Sequence, residues 1–314
     1  MEERILLVGG GDLGLRVARR LLEGPVASAA SAASAASAAS VASAASVTSA
    51  VPVAPSIWAL RRQPSAAAAG SCDAAARIGW IAADVTRPET LDHLPDGLTR
   101  VVVALSPGAR TQQAYHAVFV QGLQHVVQRL DRRTLRRLVF VSSSAVYGEH
   151  NGDWVDETTE PSPLGMNGAV LREAEQWLHR QGLPCTVLRL SGLYGPGRLQ
   201  LVDRLRAGQA RVPRDHIHWA NRMHVDDAAG AIAHLLLLPD AQSVYVGSDD
   251  TPLPIDVLYD YLAERIGCPP PAAGPAPAGV GSKRLSNARL RASGYTPAWP
   301  DARAGYAALL AESA

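Results

Sequence analysis

Lysine is nearly missing from this chain. Of its 314 residues 30 are Lys or Arg, and Lys283 is the one lysine. A mechanism that requires a lysine ammonium therefore has a single candidate, far down the chain. No excess of charge is present either: 30 basic residues face 29 acidic ones, the net charge is +1, and no basic block occurs. So balanced a chain lacks the electrostatic footprint of a nucleic-acid binder or of a protein held to an acidic membrane. Cysteine is scarce. Cys72, Cys185 and Cys268 have no CxxC or CxxH spacing, so neither a disulfide framework nor a zinc site is indicated, and a reducing compartment fits. The nine histidines show no metal-ligand spacing. No long run of Leu, Ile, Val and Phe is available to span a bilayer. The acidic opening Met1-Glu2-Glu3-Arg4 passes straight into an apolar strand, unlike a secretory signal. These absences lead to the expectation of a cytoplasmic protein with a small-molecule partner and no metal, nucleic acid or membrane.

What is present is apolar material for a sizeable core, 47% hydrophobic residues against 19% charged ones. Residues 5–8 form a short apolar run that reads as a buried strand. Residues 13–22 place Leu13, Val17, Leu21 and Leu22 on one face with arginines between them, which predicts an amphipathic helix. Further strands are expected at 57–60, 77–83, 101–105, 138–142 and 185–190, and long helices at 111–130 and 169–180. Strands alternating with helices predict an α/β fold built on a doubly wound parallel sheet. After Gly197 the pattern loosens. Helices near 201–207, 226–238 and 255–266, a strand at 243–246, a flexible loop at 268–281 and two short closing helices suggest a smaller mixed lobe.

One segment departs from this order. From Ser28 to Ser49 serine recurs every third residue among alanines. A period of 3 drifts around a helix of 3.6 residues per turn and leaves no continuous apolar face. Such small side chains bury too little surface to offset the entropy of ordering. Residues 25–55 are read as a low-complexity insertion in a tolerant surface loop.

Gly9-Gly10-Gly11-Asp12-Leu13-Gly14 satisfies G-x-G-x-x-G directly after a strand and at the start of a helix. In that context Gly9 permits the tight turn, Gly11 lets backbone approach a pyrophosphate, and Gly14 lets helix pack on strand. The phosphates would sit on the free N–H groups at the helix N-terminus, beside Asp12 and Leu13. At the end of the second strand, where NAD binders usually carry an acidic residue for the ribose hydroxyls, this chain has Arg61-Arg62. Two guanidiniums suit a 2′-phosphate, so NADP is favoured, with NAD as the alternative. Asp84 and Val85 would lie near the adenine. The organisation expected is a dinucleotide-binding Rossmann domain over residues 1–197 and a C-terminal substrate lobe and tail over 198–314, interleaved with the sheet.

Further motifs follow in order: Ala83-Asp84-Val85-Thr86; the run Phe140 to Gly148, with Ser142-Ser143-Ser144 and Val146-Tyr147-Gly148; Leu188-Arg189-Leu190-Ser191-Gly192-Leu193-Tyr194-Gly195-Pro196-Gly197; and Asn221-Arg222-Met223-His224-Val225-Asp226-Asp227. With the glycine turn they make residues 4–248 resemble the extended short-chain dehydrogenase/reductases, the NAD(P)-dependent epimerase/dehydratase family. The tail Ser282-Lys283-Arg284-Leu285-Ser286-Asn287 is similar to an atypical subgroup. The resemblance implies a cofactor site that also takes in Ala104, Leu105, Ser106, Ser142 and Leu190. It implies that Ser143, with Ser144 as alternative, hydrogen-bonds the reacting oxygen.

It also implies a Tyr-x-x-x-Lys acid/base pair on the next helix, the Lys charge lowering the Tyr pKa. The family's Glu, four residues after that Lys, matches Glu175. Counting back puts the Lys slot at Leu171 and the Tyr slot at Asn167, and residues 156–180 contain no Lys or Tyr in any register. Arg172 adjoins the Lys slot but points about 100° away on the helix and cannot shuttle protons. Tyr147, aided by Arg222 or His224, is the expected substitute. Gly192, Tyr194, Arg222 and His224 are expected on the substrate side. Gly192 stands where nucleotide-sugar enzymes carry Asn, and Ala220 where they carry a phosphate-binding Arg, so a nucleotide sugar is a less expected substrate. Two functions are consistent with this pattern: an atypical NAD(P)-dependent oxidoreductase or epimerase acting on a small polar or sugar-like molecule, or a non-catalytic NADP-binding sensor. A homodimer through the two long helices is a family expectation.

Overall fold

A computed structural model describes residues 3–24, 54–63 and 77–312. The low-complexity stretch 25–55 lies outside them apart from its last two residues, as does Cys72. Seven parallel strands form one sheet: β1 (Arg4–Val8), β2 (Ser56–Arg61), β3 (Ile78–Ala82), β4 (Arg100–Val103), β5 (Arg137–Ser143), β6 (Cys185–Leu190) and β7 (Val244–Gly247). Their order across the sheet is β7-β6-β5-β4-β1-β2-β3. The order reverses between β1 and β4, so a crevice opens there at the carboxyl ends of the strands.

Both faces of the sheet are covered, which explains the unbroken apolar runs. Ile5 and Leu7 of β1 pack on one side with Val17, Ala18, Ala228 and Ile232. These come from α1 (Asp12–Glu23) and from a later helix, Val225–Leu237. Leu6 and Val8 point the other way, into a layer with Leu123, Val126, Ala174 and Leu178. That layer belongs to α2 and α3. Helix α2 runs through three consecutive segments, Gln112–His116, Ala117–Gln121 and Gly122–Gln128, of which the middle one is π-wound. Helix α3 is Met166–His179. The predicted helices and strands recur here with ends shifted by a few residues.

Residues beyond 197 divide between sheet and lobe. The helix Val225–Leu237, taken as α5, lies on the sheet, and β7 completes its edge beside β6. The lobe has its own apolar cluster, in which Leu201 and Leu205 of α4 (Gln200–Arg206) meet Leu258 and Leu262 of α6 (Ile255–Ile266). After α7 (Ala288–Ala292), the closing helix α8 (Ala302–Glu312) adds Tyr306 and Leu309 to it. The stretch 268–281 is not loop throughout: Ala272–Ala273 pairs in parallel with Arg211–Val212. No helix among the described residues is long and apolar enough to cross a membrane.

Candidate dinucleotide site and reaction groove

The glycine turn has the geometry that a phosphate cradle needs. Gly9 adopts φ +115, and a Cβ there would lie 2.1 Å from the Ala104 carbonyl oxygen. A Cβ on Gly14 would lie 2.2 Å from the Gly9 oxygen, so α1 can sit this close to β1 only through glycine. Gly11 differs: a Cβ there would meet nothing within 4 Å, because its Cα faces open space at the start of α1. Backbone N–H groups of a helix N-terminus are thus presented to a groove. Asp12 at this end is neutralised from two sides, by Arg16 Nε at 2.8 Å and Arg198 Nε at 3.3 Å.

The groove has a volume of about 360 Å³ and runs along the carboxyl ends of β1, β4, β5 and β6. Its walls include Gly9, Gly11, Asp12, Leu13 and Gly14 at one end, Ala104, Leu105 and Ser106 after β4, and Ser142, Ser143 and Leu190 at the other end. The sequence did not single out Tyr115 and Phe119 of α2, Ser191, Leu193 and Arg198 as groove walls, yet they also line it. Tyr115 stands two residues before the π-wound segment, and its ring lies 5.5 Å from that of Phe119. Nothing in the local sequence of α2 distinguishes these aromatics from core residues. Ser191 could have been noticed as a hydroxyl closing an otherwise apolar strand.

Asn167 and Leu171 both face the groove. The positions found by counting back from Glu175 thus line the groove, and they hold an amide and an isobutyl group. Arg172, next to the Lys slot, is turned aside and pairs with Glu160. One turn beyond Leu171, Glu175 is 2% exposed and closes a buried network. It accepts from Ser142 Oγ at 2.5 Å and from Arg189 Nη2 at 2.6 Å. Ser142 is thereby committed to the interior. Ser143 keeps its hydroxyl at the groove, where Oγ accepts from the Ala145 N–H at 3.2 Å.

Six expected substrate-side or catalytic residues lie elsewhere. Tyr147 is 2% exposed and is not a wall of the groove. Its hydroxyl donates to the Asp156 carbonyl at 2.7 Å and accepts from Arg189 Nη1 at 2.8 Å. Burial pushes its phenol up to about 12, against the pull of the Arg189 charge. A proton so held, on a hydroxyl with both hydrogen-bond directions filled, is unsuited to acid/base work, which corrects the assignment of Tyr147. His224 caps α5: its Nδ1 accepts from the Asp226 N–H at 3.2 Å, and burial holds the ring below its ordinary pKa. Tyr194 is buried and stacked on Tyr306 at 4.3 Å. Arg222 packs against Gly192, where a Cβ would lie 2.6 Å from its Nη1, so this glycine makes room for the guanidinium. Arg222–His224 pairs in parallel with Gly192–Tyr194, and none of Arg222, His224, Tyr194 and Gly192 is a wall of the groove. Ser144 opens a short 3-10 turn and is no groove wall.

On the adenine side, Arg61 and Arg62 are both exposed at the end of β2. A Cβ on Gly108, just beyond the groove wall Pro107, would lie 3.8 Å from Arg62 Nη1. Asp84 accepts from Thr86 N and Oγ1 at 2.9 and 2.8 Å. Burial opposes its ionisation, but these bonds and the charges of Arg62 and Arg87 hold it below its ordinary value. Val85 is 5% exposed beneath α2, and its carbonyl meets His125 Nδ1 at 2.8 Å. Lys283 is no tail residue in space: it is 4% exposed, and its Nζ donates to the carbonyls of Gly148 and Gly281 at 3.3 and 3.2 Å. Among the described residues no cluster of His, Cys, Asp and Glu could hold a metal ion.

A parallel sheet of order 3-2-1-4-5 and outward, a glycine cradle at its switch point and a serine at the end of β5 define the class of Rossmann-fold dinucleotide proteins. Residues 5–247 match the model of the NAD dependent epimerase/dehydratase family. The chain belongs to that family. A solved structure of a candidate NAD-dependent epimerase/dehydratase from Methylobacillus flagellatus is 33% identical, with TM-score 0.74, covering 100% of this chain and 99% of the other. Protein YeeZ of Escherichia coli is 34% identical over 184 residues, 58% of this chain and 64% of YeeZ. The match thus spans a little under two thirds of that relative. The enzyme WbmG of Bordetella bronchiseptica, solved with NAD and UDP, shares the fold at 18% identity and TM-score 0.71, covering 99% of this chain and 95% of WbmG.

Proposed function

We propose that the protein is an atypical NAD(P)-dependent oxidoreductase or epimerase acting on a small polar or sugar-like molecule. The observation that carries this reading is the groove itself, which joins a glycine cradle to a polar end made by Ser143, Asn167 and Ser191 with Tyr115 among its walls. The cradle fits a dinucleotide: Gly11 is open where a pyrophosphate would approach, and Gly9 and Gly14 admit no side chain. When bound, the nicotinamide supplies hydride chemistry. The chain would supply the rest. Ser143 Oγ accepts from backbone and so has its own hydrogen free for the reacting oxygen. Tyr115 is the phenol of the groove and takes the proton-exchanging role in place of the buried Tyr147. Gly192 and Ala220 in place of the family's Asn and Arg support a substrate other than a nucleotide sugar. Arg61 and Arg62 support NADP over NAD. A cytoplasmic location and a dimer through α2 and α3 complete the proposal.

A second reading, a non-catalytic NADP sensor, is favoured by one observation: both slots of the acid/base pair face the groove without an ionisable group. A substrate screen with NADP, read by nicotinamide absorbance, separates the two. Turnover that is lost in Tyr115→Phe while cofactor binding persists supports the enzyme. Tight NADP binding with no turnover across sugar and small-carbonyl panels supports the sensor.

A further inference from the structure

Asp12 is an unexpected residue in a cradle for phosphate. It follows Gly11, whose Cα faces open space at the start of α1, and it is itself a wall of the groove. A carboxylate at this place repels the diphosphate that the free N–H groups attract. Two arginines answer its charge, and they do so differently. Arg16 Nε meets Asp12 Oδ1 at 2.8 Å from within α1, and Arg16 Nη1 reaches Asp226 Oδ1 at 2.5 Å, so that guanidinium is held by two carboxylates. Arg198 comes from beyond β6, 186 positions away in the chain. Its Nε meets Asp12 Oδ2 at 3.3 Å, past the usual range of an N–H···O bond, and neither Nη atom has a hydrogen bond among the described residues. Arg198 also lines the groove.

The backbone that carries Arg198 is a tight strap. Gly195 and Gly197 hold φ +140 and +77, and the Arg198 N–H closes the turn on the Gly195 carbonyl at 2.9 Å. The strap meets α1 through side chains: Arg16 Nη2 lies 3.5 Å from the Pro196 carbonyl oxygen, and Arg198 reaches Asp12. Arg16 and Arg198 face Asp12 and Asp226, so the four charges balance, and a diphosphate gains a free cation here only when one pair opens. The Asp12–Arg198 contact is the longest of the three, and its side chains are 45% and 33% exposed. Water reaches both partners, so parting them costs little. A guanidinium bonds phosphate through two parallel N–H groups at about 2.7–2.9 Å, a geometry that the present single long contact leaves unused.

We propose that Asp12 is a built-in competitor of the dinucleotide diphosphate: it occupies Arg198 in the free protein and yields it to the diphosphate on binding, so that the strap 195–198 is bonded to the ligand instead of to α1. The inference rests on the proposed dinucleotide function. The full-length chain, Asp12→Asn, Arg198→Gln, Arg198→Lys and the double variant Asp12→Asn/Arg198→Gln are titrated calorimetrically with NADP, with NAD, and with 2′-AMP, which carries no diphosphate. Arg198→Gln should weaken both dinucleotides by about tenfold, the worth of a charge-assisted hydrogen bond at a partly exposed site. Arg198→Lys, a cation without the fork, should recover part of the loss. Asp12→Asn should tighten both dinucleotides by about three- to fivefold, the worth of one exposed charge contact, and the gain should shrink when Arg198 is absent. 2′-AMP should bind all five proteins alike. Weaker dinucleotide binding in Asp12→Asn overturns the competitor role, and an equal gain with and without Arg198 overturns the exchange. Unchanged dinucleotide affinity in Arg198→Gln overturns the assignment while leaving the cofactor site standing. An equal loss for 2′-AMP in that variant overturns it in favour of a structural role. Wild-type protein that binds neither dinucleotide overturns the functional reading together with it.

Discussion

Arg189 and Glu175 close on each other at 2.6 Å beneath the groove, with side chains 7% and 3% exposed. Arg189 also bonds Tyr147, and Glu175 also accepts from Ser142, so one buried pair ties β5, β6 and α3 together. Removing one partner leaves the other charge buried and unpaired. Glu175→Leu should lower the unfolding free energy by about 3–5 kcal/mol in urea titrations. The double variant Glu175→Leu/Arg189→Met should recover part of that loss, because an apolar pair needs no counter-ion. A double variant as unstable as the single one would show that the loss comes from packing.

Tyr147→Phe separates structure from chemistry. It deletes the bonds to Asp156 and Arg189 and should cost about 1–3 kcal/mol of stability. Dinucleotide affinity should not change, since the ring is no wall of the groove. A large change in cofactor affinity with unaltered stability would return Tyr147 to the site.

The glycines of the cradle should respond unequally. Gly14→Ala brings a Cβ to within 2.2 Å of the Gly9 oxygen and should destabilise the ligand-free protein. Gly11→Ala meets no protein atom within 4 Å, so thermal stability without ligand should hold. The added methyl would instead occupy the approach to the pyrophosphate, and affinity should fall by about tenfold or more. Calorimetry on both variants checks the contrast.

Cofactor choice is tested by thermal shift. A ligand at a hundredfold excess over its Kd stabilises by about 2.7 kcal/mol. NADP should shift the wild type more than NAD does, and Arg61→Ser/Arg62→Ser should abolish the difference while keeping the NAD shift. Equal shifts in the wild type would count against the guanidinium pair.

Asp249 makes stability depend on pH. Burial pushes its carboxyl up to about 8 from an ordinary 3.8, and Oδ2 has no hydrogen-bond partner among the described residues. The folded protein therefore keeps a proton that the unfolded chain has released. The contribution is full below pH 3.8 and is lost progressively as pH rises to about 8. Asp249→Asn should be more stable than the wild type at pH 8 and should flatten this decline in a series of melting curves. A variant with the wild-type slope would place the pH dependence elsewhere.

Much of this molecule is local in origin and was legible in the chain. The apolar run of β1, the glycine spacing and the arginine-faced periodicity of α1 are short-range patterns, and they specify the cradle wherever the chain goes afterwards. Counting four residues at a time along α3 located the groove-facing positions Asn167 and Leu171, because helical spacing is rigid. The arginine bias of the composition acquired its meaning there: no register of that helix offers a lysine.

The roles of Tyr147, His224 and Lys283 were not legible, because each depends on partners far away in sequence. Tyr147 is held by Arg189 of another strand, and Lys283 by the carbonyl of Gly148 across 135 positions. Tyr115 carried no local signal either, and Ser191 only a hydroxyl closing an apolar strand. A phenol on a helix and a hydroxyl after a strand look like packing until the sheet brings them to one groove. Periodicity sets which face a side chain takes within its own element. Which groups meet across elements, and which hydroxyl is left without a partner, follows from long-range packing alone.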